Sequence, residues 1–280
     1  MTDSTRTALP AAARTRRLLN KVPEVTVWFW VIKILCTTVG ESFADWINEQ
    51  LGVGLVNTAL IFTVVFAVVL VVQMRLDRYV PAAYWLAVVV VSVTGTLYTD
   101  ILTDQLGVPL WISTTGFSLL LAGVFAVWFV RERTLSIHSI NTTPREAFYW
   151  LAVLVTFALG TATGDWTLDL TGWGPGVSVL LPLSLIVVVV VMWRAGADAV
   201  LAFWLAYILT RPLGANIGDW LAGPTSEKGL GLGTSTTSVV FLLAILATVV
   251  YLTVSRVDVV EGAEGSTDTT LRAGQPPVEA

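Results

Sequence analysis

The sequence predicts an all-α, polytopic membrane protein whose eight transmembrane helices form four parallel two-helix repeats, with both termini cytoplasmic. Three observations predict it. Of 280 residues, 55% are hydrophobic and only 13% charged, and the mean hydropathy is +0.76, far more apolar than a soluble domain. A pattern of Trp, nine residues, Gly, four residues, Asp occurs four times: Trp30, Gly40, Asp45; Trp85, Gly95, Asp100; Trp150, Gly160, Asp165; Trp204, Gly214, Asp219. Lys and Arg residues concentrate at alternate ends of the apolar stretches.

Taken in order, the stretches Val25 to Trp46, Ala82 to Leu102, Ala147 to Leu168 and Ala199 to Leu221 carry the pattern. Each is followed by an uncharged run, Leu55 to Met74, Gln105 to Val130, Leu170 to Trp193 and Gly229 to Ser255, and crossing the hydrocarbon core takes roughly 20 residues. Gly52, Gly107 and Gly172 stand seven residues after the repeated Asp, where the chain must reverse. In the fourth copy Pro224 to Lys228 are inserted and Gly229, Gly231 and Gly233 predict a longer, looser loop. The division is a tail at 1–24, repeats at 25–78, 79–135, 136–197 and 198–257, and a tail at 258–280; both tails are expected to be disordered. The loop from Arg131 to Arg145 separates two pairs of repeats without marking a domain boundary.

Orientation follows from the basic residues, which cytoplasmic loops retain. Arg6, Arg14, Arg16, Arg17, Lys21, Arg75, Arg78, Arg131, Arg133, Arg145, Arg194, Arg256 and Arg272 fall on one side, and the opposite loops hold only Lys228. Lys33 and Arg211 lie inside helices. The apolar run after the Arg-rich start contains Lys33, Glu41 and Asp45, so it belongs to the repeat and is expected to be retained. With two spans per repeat, all four repeats share one orientation, and the expected assembly is a pseudo-symmetric bundle of inner and outer helices about the membrane normal. One cysteine and one histidine, Cys36 and His138, exclude an internal disulfide and any multi-Cys or multi-His zinc or haem centre.

Carboxylates at membrane depth are costly, which makes them functional candidates. Helical spacing puts Lys33, Thr37, Glu41 and Asp45 on one face, which should turn inward, with Lys33 compensating the acids. Arg211 occupies the position equivalent to Thr37, and the following Pro212 predicts a kink near Asn216 and Asp219. Asp45, Asp100, Asp165 and Asp219 would form a ring near the outer leaflet, with Glu49, Asp104 and Asp169 above it, and carboxylate rings concentrate cations. Two structural alternatives stand beside this: each Asp caps a turn, and Glu41 with Lys33 forms a buried pair that fixes helix register. The repeated Gly reads as close helix contact. Trp28, Trp30, Trp85, Trp150 and Trp204 at one end, and Trp46, Trp166, Trp173 and Trp220 at the other, fit interfacial aromatic belts.

The stretch Trp30 to Asp45, WVIKILCTTVGESFAD, resembles the signature of a bacterial family of four-repeat membrane-anchored proteins of unknown function. Lys33, Thr37, Thr38, Gly40, Glu41 and Asp45 match its fullest copy, Asp100, Asp165 and Asp219 match sparser forms, and the similarity spans Val25 to Ser255. The resemblance implies the four-repeat fold and no activity.

The expected function is a small-cation or proton-coupled transporter or channel in the plasma membrane. Glu41, Asp45, Asp100, Asp165 and Asp219 are its candidate ion or proton sites, supported by Lys33, Thr37, Thr38, Arg211 and Asn216. Its expected partners are the lipid bilayer and a small cation or proton; no cofactor, nucleic acid or enzymatic activity is expected. The alternative is a non-transporting sensor or assembly scaffold, and a third reading, from Gly164-Asp165 and Gly218-Asp219, is an intramembrane hydrolase.

Overall fold

The computed structural model describes residues 20–259, and within them the chain forms eight helices long and apolar enough to cross a membrane. They are α1 (Val27–Gln50), α2 (Leu55–Arg75), α3 (Pro81–Gln105), α4 (Leu110–Glu132), α5 (Thr143–Thr171), α6 (Pro175–Arg194), α7 (Ala199–Ala222) and α8 (Thr234–Ser255). No strand occurs among the described residues. Local chemistry sets the starts: Thr26, Thr142 and Asp198 accept backbone N–H groups that would otherwise be orphaned at α1, α5 and α7, and α3 begins on Pro81. Gly52, Gly107 and Gly172 all adopt positive φ (66°, 64° and 62°), as tight reversals require.

The odd-numbered helices are inner and the even-numbered ones outer. Burial separates them, at 56–72% of the most apolar stretch for α1, α3, α5 and α7 against 17–22% for α2, α4, α6 and α8. The inner four close a ring, α1 on α3, α3 on α5, α5 on α7 and α7 on α1. Each outer helix packs on the inner helix of the next repeat rather than its own: α2 on α3, α4 on α5, α6 on α7, and α8 back on α1. The two-helix repeat is thus a unit of sequence, and its packing partner lies one repeat ahead.

The repeated glycines explain how the ring closes so tightly. A Cβ at Gly40 would overlap Ser92, one at Gly95 would overlap Phe157, one at Gly160 would overlap Arg211, and one at Gly214 would overlap Thr37. Ser92, Phe157, Arg211 and Thr37 are the same position, three residues before the Gly of the following repeat. One rule therefore operates at all four inner interfaces, and the fourth closes onto the first. Glycine supplies the close backbone approach each needs.

Two expectations need correction. Trp85, Trp150 and Trp204 do not sit in a lipid-facing belt; they are 1–4% exposed and pack edge-on with Tyr84, Tyr149, Phe203 and Trp128, with Phe29 tilted against Trp85. Trp28, Trp173 and Trp220 are exposed, as belt residues should be. The fourth turn is strapped down, not loose: Leu230 and Leu232 donate backbone bonds to Trp220 and Leu221 (2.7 and 3.0 Å), and Lys228 Nζ donates to the Gly172 carbonyl (3.2 Å). Helix α7 continues through Pro212, whose ring packs against Gly160.

Most of the two expected tails, at 1–24 and 258–280, lies outside the described residues. The described parts are anchored: Lys21, Val22 and Asp258 are buried, and Glu24 N–H donates to the Asp258 carbonyl at 3.0 Å. Both described ends therefore meet on one face, the terminal face; the repeated Asp residues point to the opposite, far face.

Candidate functional site

The centre of the inner ring is polar. In the layer one residue after the repeated Gly stand Glu41, Thr96, Thr161 and Ala215, one from each inner helix. The Arg211 side chain rises from the layer below into this one. Its Nη2 donates to Glu41 Oε2 at 2.8 Å, to Thr161 Oγ1 at 2.7 Å and to Thr96 Oγ1, while Nη1 donates to the Thr37 carbonyl at 3.2 Å. Thr96 Oγ1 also donates to Glu41 Oε2 at 3.4 Å. Arg211 has no exposure and Glu41 is 8% exposed, so guanidinium and carboxylate meet in the interior. A planar fork suits this site, because one head group engages three helices besides its own.

The predicted Lys33–Glu41 pairing is corrected. Eight residues along one helix separate their backbones by about 12 Å, and the cation that reaches Glu41 comes from α7. Lys33 Nζ is fully buried without a hydrogen-bond partner. It rests 3.9 Å from the centroid of the Phe157 ring and 4.2 Å from that of Tyr207, an arrangement in which ring quadrupoles attract a cation. The Phe157 ring also lies 5.7 Å from Arg211 Cζ, between the layers of the two basic side chains.

Above Glu41, toward the far face, Asp45, Asp100, Asp165 and Asp219 are partly exposed. Their charges act on one another and on Glu41: Asp100 and Asp219 each feel Glu41, Asp45 and Asp165, and Asp45 feels Glu41 and Asp165. They therefore gather about one centre. None forms a salt bridge among the described residues, and neither Asp45 nor Asp100 caps the π-helical turn that follows it. Glu49, Asp104 and Asp169 are exposed farther out. Among the described residues, no group of three or more carboxylate, imidazole or thiolate side chains is arranged to hold a metal ion. The four acids stand near one another without forming such a group.

The other predicted residues have separate places. Thr37 and Thr38 both donate to the Ile34 carbonyl; Thr37 contributes its own carbonyl to Arg211, whereas Thr38 stays outside the cluster and packs near Gly218. Asn216 is buried with Oδ1 unpaired, near Gly164 of α5. Sequence reasoning missed Thr96, Thr161, Phe157 and Tyr207. A signal was present: aligned on the repeated Gly, Thr96 and Thr161 fall at the position of Glu41, Phe157 at that of Arg211, and Tyr207 at that of Lys33.

Toward the terminal face the interior stays polar. Tyr84 and Tyr149 share a hydroxyl–hydroxyl bond. The Tyr207 hydroxyl lies beside Tyr149 with no bond that meets direct geometry. Tyr79, edge-on to Tyr84, donates to Asp258 Oδ2 at 2.6 Å. A buried pair, Lys21 Nζ to Glu146 Oε2 at 2.6 Å, closes this end, with Gln73 and the Met74 carbonyl as further partners.

No curated protein and no solved structure matches the chain. A family model described as Repeat of Unknown Function (DUF347) matches residues 28–79, 83–134, 148–196 and 202–258. Four successive matches, one for each inner and outer helix pair, make the chain a member of the DUF347 repeat family of unknown function and an integral membrane protein with eight spans.

Proposed function

We propose that the protein is a small-cation or proton-coupled transporter of the plasma membrane, in which the Glu41–Arg211 pair gates a path from the far face. The observation that carries this reading is the position of that pair: it closes the polar centre of the inner ring directly beneath four gathered carboxylates that form no salt bridge among the described residues. Eight acids face that side, counting Glu227, against one base, Lys228, whose ammonium is bound to Gly172. Such a mouth raises the local concentration of cations. Protonation of Glu41, or arrival of a cation beside it, weakens its hold on Arg211 and frees the guanidinium to move. The concentration of Lys and Arg at the terminal face supports a cytoplasmic reading of that face, with the apolar outer helices against acyl chains.

The test is flux into proteoliposomes under imposed gradients of protons, sodium, potassium, magnesium or manganese. Wild-type protein should carry at least one of these; Glu41→Gln should abolish the flux while the purified variant stays monodisperse, and Asp165→Asn should raise the half-saturating concentration. Flux unchanged in Glu41→Gln removes the gate.

A second reading, a non-transporting sensor or scaffold, draws support from the bonds by which Arg211 joins α7 to three other inner helices, which serve equally well as interhelical glue. It gains if no ion moves and none alters the melting temperature, while Glu41→Gln lowers that temperature sharply.

A further inference from the structure

The polar track does not stop at Arg211, and its second half contains no carboxylate until the terminal face. From the Phe157 ring onward the buried groups are Lys33, Tyr207, Tyr149 and Tyr84, followed by half-buried Tyr79 and buried Asp258. Tyr84, Tyr149 and Tyr207 come from three different inner helices and have no exposure. A phenolic hydroxyl is both donor and acceptor, so tyrosines in contact can pass a proton, whereas three neutral oxygens with no carboxylate poorly replace the water shell of a metal ion. Lys33 is the anomaly. It is fully buried, unpartnered and held over two rings, in a layer whose equivalents Val88 and Val153 are apolar.

We propose that the transported species is the proton, that Phe157 divides its route into two halves, and that Lys33 receives it on the terminal side and hands it to the tyrosine series. This rests on the gated-transporter reading above and specifies its cargo. The far half is the Asp cluster and the Glu41–Arg211 pair. When Glu41 is protonated and Arg211 released, the Phe157 ring, which packs beside both Arg211 and Lys33, is free to turn. A proton leaving the Glu41 carboxyl then bonds to the lone pair of the Lys33 amine, restoring the carboxylate and creating an ammonium that the rings of Phe157 and Tyr207 accommodate. The ammonium gives its proton to a hydroxyl of the Tyr207, Tyr149, Tyr84 series while that series releases one at its other end, toward Tyr79 and then Asp258. Each oxygen gains one proton and loses one, so no charge remains on the phenols. Four transfers have no direct hydrogen bond, Glu41 to Lys33, Lys33 to Tyr207, Tyr207 to Tyr149 and Tyr84 to Tyr79, and each is crossed by a water or a side-chain rotation. The groups facing Lys33 are Cys36 from its own helix, Phe157 from α5, and Tyr207 and Arg211 from α7; none is acidic.

The experiment measures pH inside proteoliposomes with a trapped dye under a proton gradient, in parallel with sodium and potassium uptake. Wild-type protein, Glu41→Gln, Lys33→Met, Tyr149→Phe and Tyr84→Phe are compared after each variant is shown to be monodisperse. The proposal expects proton flux in wild type, slowed in deuterated buffer, abolished in Glu41→Gln, and reduced by about tenfold or more in Lys33→Met and Tyr149→Phe. Tyr→Phe removes one oxygen and keeps the ring, so a fold defect does not account for that loss. Proton flux lost in Glu41→Gln but retained in Lys33→Met and both tyrosine variants overturns this route and leaves the gate standing. Flux of sodium or potassium without protons overturns the cargo and leaves a transporter. Absence of any flux removes both readings.

Discussion

Arg211 carries the greatest structural consequence of any single residue. Among the described residues it is the one side chain that bonds to groups on three other inner helices, through Glu41 and Thr37 on α1, Thr96 on α3 and Thr161 on α5. Removing one member of a buried pair strands the other charge, at a cost of about 3–5 kcal/mol, whereas replacing both with apolar groups can cost little. Equilibrium unfolding in detergent should therefore show Glu41→Ala destabilised by about that amount and the double variant Glu41→Ala with Arg211→Met recovering most of it. A single variant that unfolds like wild type would show that the pair contributes nothing to the fold. The acidic repeat and the two intramembrane cations were legible in the sequence, because charges at membrane depth stand out. Their pairing was not. A ladder on one helix can be counted, but Arg211 reaches Glu41 only because α7 closes onto α1, and adjacency across 170 positions is a property of the ring.

At the scale of the helix, glycine decides the inter-helix spacing. Gly160→Ala would thrust a methyl into the Cβ and Cγ of Arg211, and Gly214→Ala would meet Thr37 and the Thr38 backbone, where neither neighbour has room to retreat. Overpacking of this kind costs about 1–3 kcal/mol. At Gly116 and Gly123 on α4 an added methyl would find no other atom within 4 Å, so alanine there should be neutral or stabilising by up to about 1 kcal/mol. Thermal unfolding of the four variants separates the two classes; equal losses would mean the inner ring relaxes freely. The spacing of Gly from Trp and Asp was plain in the sequence, including its reading as close contact. The direction of Trp85, Trp150 and Trp204 was not, since an indole near a helix end suits either a lipid interface or an aromatic core, and only neighbours such as Tyr84 and Trp128 settle which.

At the scale of the whole molecule, the described chain ends are clipped together on the terminal face by Tyr79, Asp258 and the Glu24 backbone. Burial pushes the Asp258 carboxyl above its ordinary value of 3.8, opposed in part by the hydrogen bond from Tyr79. An acid with a raised folded value binds its proton more readily folded than unfolded, so its stabilising effect is complete below 3.8 and is lost as pH rises through the raised value. The melting temperature should thus fall on going from about pH 4 to pH 7 through this group, and Asp258→Asn should flatten that slope. A slope unchanged in the variant would place the pH response elsewhere. The eight spans and their division into four copies were legible throughout, because hydropathy and repetition are local signals. That each outer helix would lean on the following repeat was not, since it depends on which face of each helix meets which neighbour.

That forward lean has a consequence for biosynthesis. Because α8 covers α1 and α7 completes its polar side, the earliest helix to leave the ribosome keeps its lateral partners waiting until the latest ones arrive. Glu41 and Lys33 are meanwhile held in the translocon or beside lipid with no guanidinium or aromatic shelter. A truncated nascent product ending before α7 should therefore be degraded by membrane quality control instead of persisting as a shorter bundle.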